Sequence, residues 1–308
     1  MNSRQGHEPT EAGERFMTSS AVGHLPLIEV LTPRAAERPD TFVGTPNPYG
    51  AMGIYGGHFC GQALAAGLAT VADEQRAHSF HAYFLRPGDP QVPITYRVST
   101  LRNGRSSSVR RISAEQNGNE AFAMMASFKR PEAGDEHQPT APAVPPADAL
   151  AAAREARGEA PFPFPVAQNG WAEMEWITPS FLETVPDREP RLQVWMRIPD
   201  GAGLTDRQQQ VLLAFLSDGP LMFNATVPYG VIGETHRATS LDHAVWFHHP
   251  VDPSTWLLFD QRSTAAADGR GMNEGEIYDA EGRLATTCVQ ESMLRRLPAA
   301  GDARPGRA

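Results

Sequence analysis

Ser240-Leu-Asp-His-Ala-Val-Trp-Phe-His-His-Pro250 is an apolar run that stops at a proline, and an earlier run, His81-Ala-Tyr-Phe-Leu-Arg-Pro87, stops the same way. Each is followed by Asp-Pro, at Asp89-Pro90 and Asp252-Pro253. Further along, Asn103-Gly-Arg105 faces Asp268-Gly-Arg270, and the turn Asn117-Gly118 faces Glu281-Gly282. Every pair is separated by about 162 to 165 positions, and a constant offset of that size is an internal repeat. The chain is therefore read as one module written twice.

The composition sets the class. The 308 residues leave room for two compact domains, and 41% hydrophobic with 20% charged residues is the balance of a soluble globular protein. A net charge of −9, from 27 basic and 36 acidic residues, argues against nonspecific binding to nucleic acid or anionic lipid. No apolar run reaches the roughly 20 residues that a membrane span needs. Met1–Glu14 is polar and acidic, unlike a signal peptide, so the expected location is cytoplasmic. Two cysteines, Cys60 and Cys288, are too few for a disulfide framework or a zinc cluster and read as small buried hydrophobes.

The chain divides on composition into five parts. Residues 1–40 are a partly disordered N-terminal segment, in which Leu25–Val30 could be a short helix or strand. The first module spans 41–130. It opens with Thr41-Phe-Val-Gly44 and a Pro/Gly-rich turn, then the segment Gly56-Gly-His-Phe-Cys-Gly-Gln-Ala-Leu-Ala-Ala-Gly-Leu-Ala-Thr-Val71. Apolar groups on nearly every side of that segment predict a buried helix. Strands are expected at 78–85, 94–101, 106–115 and 121–129, with Asn-Gly turns that favour positive φ. A Pro/Ala-rich linker covers 131–165, and a helix-prone stretch lies inside it at 147–157. The second module, 166–297, repeats the plan. A strand is expected at 192–198, then a helix that starts at the capping box Thr205-Asp-Arg-Gln208 and carries an all-apolar body at 211–216. Strands follow at 240–248, 256–263, 271–278 and 284–294, before a disordered tail at 298–308.

A helix too apolar for a surface, followed by antiparallel strands, suits a sheet curled around a central helix, an α+β arrangement. Several motifs in order resemble the type II acyl-CoA thioesterases, the double-hotdog family. They are Gly56-Gly-His-Phe-Cys-Gly-Gln-Ala-Leu, His78-Ser-Phe-His-Ala-Tyr-Phe-Leu-Arg-Pro-Gly-Asp, Asn103-Gly-Arg-Ser, Ala126-Ser-Phe, Ser240-Leu-Asp-His-Ala-Val-Trp-Phe-His and Val289-Gln-Glu291. The resemblance runs from about Phe42 to Arg296 and is broken mainly in the linker. It implies a double hotdog and hydrolysis of fatty acyl-CoA to fatty acid and CoA. It implies no metal or organic cofactor, and assembly as a homodimer or homotetramer.

The chemistry that follows needs a water made nucleophilic beside the thioester carbonyl, and donors aimed at the oxygen that becomes negative. Carried over by position, the resemblance implies Asp218 as the base or water-orienting acceptor, with Ser240 and Gln290 as the partners that fix the water. The helix start Gly57-His58 offers backbone N–H groups suited to an oxyanion or phosphate. Arg86, Arg105 and Arg270, at strand ends or turns, are candidates for the CoA phosphates, and Met222, Phe223 and Trp246 for an acyl tunnel. His78, His81, His243, His248 and His249 alternate with aromatics and read as packed strand residues rather than catalysts or metal ligands. Asp242 and Asp260 read as structural. Two other readings compete. An acyl-CoA-binding regulator would lack hydrolysis. A hotdog enoyl-CoA hydratase would need an Asp and a His close together on the central helix, a pair that neither helical segment contains.

Overall fold

The structure is a computed structural model. It describes residues 25–47, 53–162, 164, 170–183, 185 and 187–298. The loose N-terminus expected at residues 1–24 and all of the tail beyond 298 lie outside the described residues. In chain order the elements are α1 (Leu27–Val30), β1 (Arg34–Ala35), β2 (Thr41–Gly44), α2 (Gly56–Leu68), β3 (Arg76–Phe84), β4 (Ile94–Asn103), β5 (Ser107–Gln116), β6 (Asn119–Lys129) and α3 (Ala147–Ala156). The second half holds β7 (Glu173–Trp176), β8 (Arg191–Arg197), α4 (Asp206–Leu216), β9 (His236–Ser240), β10 (Asp242–Phe247), β11 (Leu257–Ala267), β12 (Arg270–Tyr278) and β13 (Leu284–Arg296).

Among the described residues thirteen strands form one antiparallel sheet, in which β2-β4-β5-β6-β3 is continued by β10-β13-β12-β11-β8. The second half is the first in reverse order, as a pseudo-twofold between β3 and β10 requires. Joining the modules there removes two open strand edges that would otherwise template aggregation. The double-hotdog architecture expected from the sequence is the one observed. Local chemistry places the hairpins: Asn117 and Gly118 both take positive φ (51° and 74°), as do Asp268 and Gly269 (52° and 68°), which gives two-residue turns with the twist of the flanking strands.

The two long helices lie inside the curl. Eleven of the thirteen residues of α2 are buried, which explains why its apolar groups cover nearly every side. Truncating a fully buried residue such as Leu64 to alanine should cost about 2–5 kcal/mol. α4 runs antiparallel to α2, and glycine permits the close approach: a Cβ at Gly61 would stand 3.4 Å from the Val211 carbonyl and 3.1 Å from Leu31. Thr205 and Gln208 form the capping box read from the sequence. The linker lies along the second module. There Gln138 bonds the Leu284 N–H and the Gly282 carbonyl, Trp195 donates to the Pro145 carbonyl, and Arg154 of α3 pairs with Glu175 at 2.8 Å.

Two details differ from expectation. The single strand expected at 240–248 is broken at Leu241 into β9 and β10, both paired with β13. The cause is Asp242, whose carboxylate accepts the Glu291 N–H at 2.7 Å in place of a ladder carbonyl. The repeat also slips by one residue at the seam. His81 and His243 match by sequence, yet β3 and β10 pair His81 with Ala244 and Ala82 with His243. His81 is exposed while His243 is buried beside Phe80, its ring centroid 5.9 Å from that of the phenylalanine. Because side chains alternate, one residue of slip exchanges the faces of the sheet.

Candidate active site

The site begins where α4 ends. Ser217 closes the helix by donating its N–H to the Leu213 carbonyl at 2.9 Å, and Gly219-Pro220 then prevents continuation. Asp218, left just past the last turn, is 5% exposed. A carboxylate suits a helix C-terminus poorly, but the antiparallel packing sets this one against the amino end of α2, where the dipole favours negative charge. The Gly57 N–H donates to it, and a Cβ at Gly56 would stand 2.6 Å from its Oδ2. Tyr55 ties the two ends together by donating its hydroxyl to the Phe215 carbonyl at 3.1 Å.

From the opposite side, β13 turns Gln290 inward with no exposure, and its Nε2 donates to Asp218 Oδ1 at 2.6 Å. The same Nε2 lies 3.4 Å from His243 Nδ1, whose Nε2 is 2.9 Å from Ser217 Oγ. Gln290 Oε1 is buried and has no hydrogen-bond partner in the protein. Ser240 pairs with Ser292 on β13, two residues beyond Gln290 and on the same face, and its hydroxyl donates to Met222 Sδ at 3.5 Å. The fold thus brings Asp218 and Gln290 into direct contact and sets Ser240 one pair further along the strand.

Burial governs the electrostatics. Desolvation pushes the Asp218 carboxyl up to about 7, against the opposing pull of the Gln290 amide and the Gly57 N–H. The imidazoles are driven the other way: His243 falls to about 3 by burial, and His58 to about 4 despite its bond to the Thr45 carbonyl. The thiols of Cys60 on α2 and Cys288 on β13 are pushed well up, first by burial and then by Asp218, so both stay neutral. At neutral pH the carboxyl of Asp218 is the one group in this set poised between charge states.

The remaining candidates fall in different places. The Gly57 N–H is directed to Asp218 and the His58 N–H to the Tyr55 carbonyl at 3.0 Å, so this turn holds the carboxylate instead of standing open for an oxyanion. The His58 ring is turned to the Thr45 carbonyl at 2.9 Å. Arg86 lies on the side of the site: it stands two residues past Phe84, whose ring packs on Gly56, and its guanidinium donates to the Glu120 carbonyl at 2.6 Å. Arg105 does not. Its turn sits at the far end of α2, where Gln75 reaches the Gly104 carbonyl, about 20 Å away along the 13-residue helix. Arg270 is bound on the outer face of the sheet to Glu291 at 2.8 Å, with β13 between it and Gln290. Trp246, expected in an acyl tunnel, is also on the outer face, edge-on to His81 at 5.2 Å. His78 bonds Ser127 Oγ at 2.8 Å. Sequence reasoning passed over Ser217 and the inward face of His243, which only the slip at the seam reveals.

The first module lacks this arrangement. Ala126 stands beside Arg110 there as Gln290 stands beside Asn273. Arg110, 1% exposed, closes the corresponding helix end by donating to Thr70 Oγ1 and the Thr70 carbonyl at 2.9 and 2.8 Å. No group of three or more His, Cys, Asp or Glu residues is placed to hold a metal ion among the described residues.

Comparison with known proteins agrees with this picture. Residues 45–129 match the model of the acyl-CoA thioesterase N-terminal domain, and residues 127–294 match that of the C-terminal domain. The chain belongs to the acyl-CoA thioesterase II family. It is 32% identical to acyl-coenzyme A thioesterase 8 from Homo sapiens, over 82% of this chain and 84% of that protein. It is 34% identical to acyl-CoA thioesterase 2 from Haemophilus influenzae, over 82% and 92%. The crystal structure of an acyl-CoA thioesterase II from Mycobacterium marinum matches with a TM-score of 0.73 and 31% identity, covering 88% of this chain and 99% of that one. A hot dog fold protein from Alicyclobacillus acidocaldarius, 20% identical over 89% and 100% with a TM-score of 0.73, shares the fold. This acyl-CoA thioesterase is thus a thioester hydrolase, and the regulator and hydratase readings fall away. Among the described residues, no helix is long and apolar enough to cross a membrane.

Proposed function

We propose that this acyl-CoA thioesterase hydrolyses fatty acyl-CoA with a water held between Asp218 and Gln290. The observation that carries the reading is the 2.6 Å bond from Gln290 Nε2 to Asp218, which leaves the buried Gln290 Oε1 with no protein partner. A water bound beside this pair would donate one hydrogen to Asp218 and the other to Gln290 Oε1, leaving an oxygen lone pair for the thioester carbon. Ser240, on the same face, is the third partner. As the oxygen adds, the water's proton passes to Asp218. Collapse of the tetrahedral intermediate breaks the C–S bond, and the departing CoA sulfur takes that proton back. The amino end of α2, through the Gly57 N–H, favours the ionised form of Asp218 that takes the proton.

Met222 and Phe223, just beyond Ser240, supply apolar contact for the acyl chain, and Arg86 is the arginine best placed to meet CoA. The same reading takes the protein as a cytoplasmic homodimer or homotetramer, states that sedimentation at working concentration separates. Thiol release from acyl-CoAs of graded length tests the assignment. Asp218→Asn, Ser240→Ala and Gln290→Ala should each lower kcat by about 10- to 1,000-fold with the fold intact. His78→Ala and His81→Ala should change it far less. An Asp218 variant working at the wild-type rate, beside a folded but inactive histidine variant, would move the chemistry to the first module.

A further inference from the structure

Behind Gln290 the protein holds a second buried polar pair, His243 and Ser217, that water activation does not itself consume. With Asp218 ionised, one assignment of their hydrogens satisfies every contact. In it the Ser217 hydroxyl donates to the Ala214 carbonyl at 3.1 Å. Ser217 Oγ then accepts from His243, 2.9 Å away, which puts the imidazole proton on Nε2. Nδ1 is left as an acceptor, facing Gln290 Nε2 at 3.4 Å. The other amide hydrogen goes to Asp218 at 2.6 Å.

We propose that His243 and Ser217 are positioning residues for thioester hydrolysis, fixing the rotation of the Gln290 carboxamide so that its nitrogen meets Asp218 and its oxygen faces the attacking water. The proposal rests on the reading of Asp218 and Gln290 given above. At 3.4 Å the contact to His243 is a weak bond, and its value is directional. With Asp218 ionised, as the reaction needs it, a flipped amide would set Oε1 against both the carboxylate and the Nδ1 lone pair, two repulsions in a buried site. Burial keeps the imidazole neutral across the working pH range, so with its proton on Nε2 the Nδ1 atom stays an acceptor.

The duplicated module supplies a built-in comparison. On the inward face Phe80 occupies the place that His243 takes in the second module, and Ala126 the place of Gln290. An apolar ring is enough to fill that space. The imidazole occurs where there is an amide to orient.

Three substitutions separate positioning from packing. His243→Asn keeps an acceptor near the Nδ1 position; His243→Gln reaches toward Ser217 but offers nothing to Gln290; His243→Phe installs the first-module side chain. The Phe and Gln variants should lose about 10- to 100-fold in kcat with KM changed less than about twofold, and Asn should recover at least about fivefold of that loss. In a Gln290→Ala background His243→Phe should change kcat by less than about twofold, because no amide is left to orient. The acid limb of the His243→Phe profile should also move to higher pH as Asp218 loses its amide donor. The other titratable groups that face Asp218 are the Cys60 and Cys288 thiols, both neutral, while Glu291 and Arg270 lie through the sheet. Should His243→Phe not fold, Ser217→Ala together with His243→Asn carries the same comparison, with kcat expected to fall in the first and to be largely kept in the second. Equal kcat for the Asn, Gln and Phe variants, or a full His243→Phe effect without Gln290, would overturn the proposal. A fully active Gln290→Ala would instead sink the water reading beneath it.

Discussion

Replacing Asp218 by asparagine should make the protein more stable at alkaline pH while abolishing most of its activity. The folded carboxyl is pushed up to about 7 by burial, against about 4 in an unfolded chain, a difference equivalent to about 4 kcal/mol for the ionised form. Because the folded state keeps its proton to higher pH than the unfolded state, it binds more protons between about pH 4 and pH 7, and stability falls as pH rises through that window. Asparagine removes the cost. It also leaves one carbonyl oxygen for two donors, Gln290 Nε2–H and Gly57 N–H, and an unpaired buried donor costs about 1–3 kcal/mol. The variant should therefore exceed the wild type by about 1–3 kcal/mol at pH 8, and its advantage should shrink by about 2.6 kcal/mol on going to pH 5. Urea unfolding at four pH values between these limits measures both quantities. A difference that stayed flat with pH would show that Asp218 does not carry a buried carboxyl of raised pKa, and the reasoning would fail.

Other outcomes follow from the same geometry. For the wild type, kcat should rise with pH through about 7 and level off above it, because only ionised Asp218 accepts the water's proton; a steady-state pH profile checks this. Chelators should leave hydrolysis unchanged, and loss of activity that zinc restored would contradict a carboxylate-activated water. Gly56→Ala should lower kcat by about tenfold or more, since its Cβ would stand 2.6 Å from Asp218 Oδ2 and 2.9 Å from the Phe84 ring; kinetics beside a melting curve would separate this from simple destabilisation.

The parts of the fold that could be read in the sequence were those set by local rules. Alternation placed the strands of both modules, Asn117-Gly118 and Asp268-Gly269 announced their turns, and the all-apolar body of α4 announced its burial. What escaped depends on single contacts made at long range. The break between β9 and β10 exists because one carboxylate, Asp242, accepts the Glu291 N–H, and no periodicity encodes that. β7 is a four-residue edge strand, too short for alternation to stand out. His243 was matched to His81 because letters align more readily than faces do, and a single residue of slip reverses the face. In the site, Asp218 and Gln290 could be named, but the partner that holds the base could not. The Gly57 N–H reaches Asp218 only because α2 and α4 pack antiparallel, which also takes that turn away from the oxyanion role its sequence suggested. Arg105 and Arg270 look alike as turn arginines. Only the direction of α2 shows that one is at the wrong end, and only the register of β12 on β13 that the other is on the wrong face.

The most direct test of water activation by Asp218 is oxygen transfer. With enzyme in excess over acyl-CoA in H2(18)O, a single turnover should yield fatty acid carrying one heavy oxygen, and the peptide containing Asp218 should remain unlabelled after many turnovers. Unlabelled acid in the first turnover, or heavy oxygen in the Asp218 carboxylate, would mean that the carboxylate attacks the thioester itself, and would contradict the account.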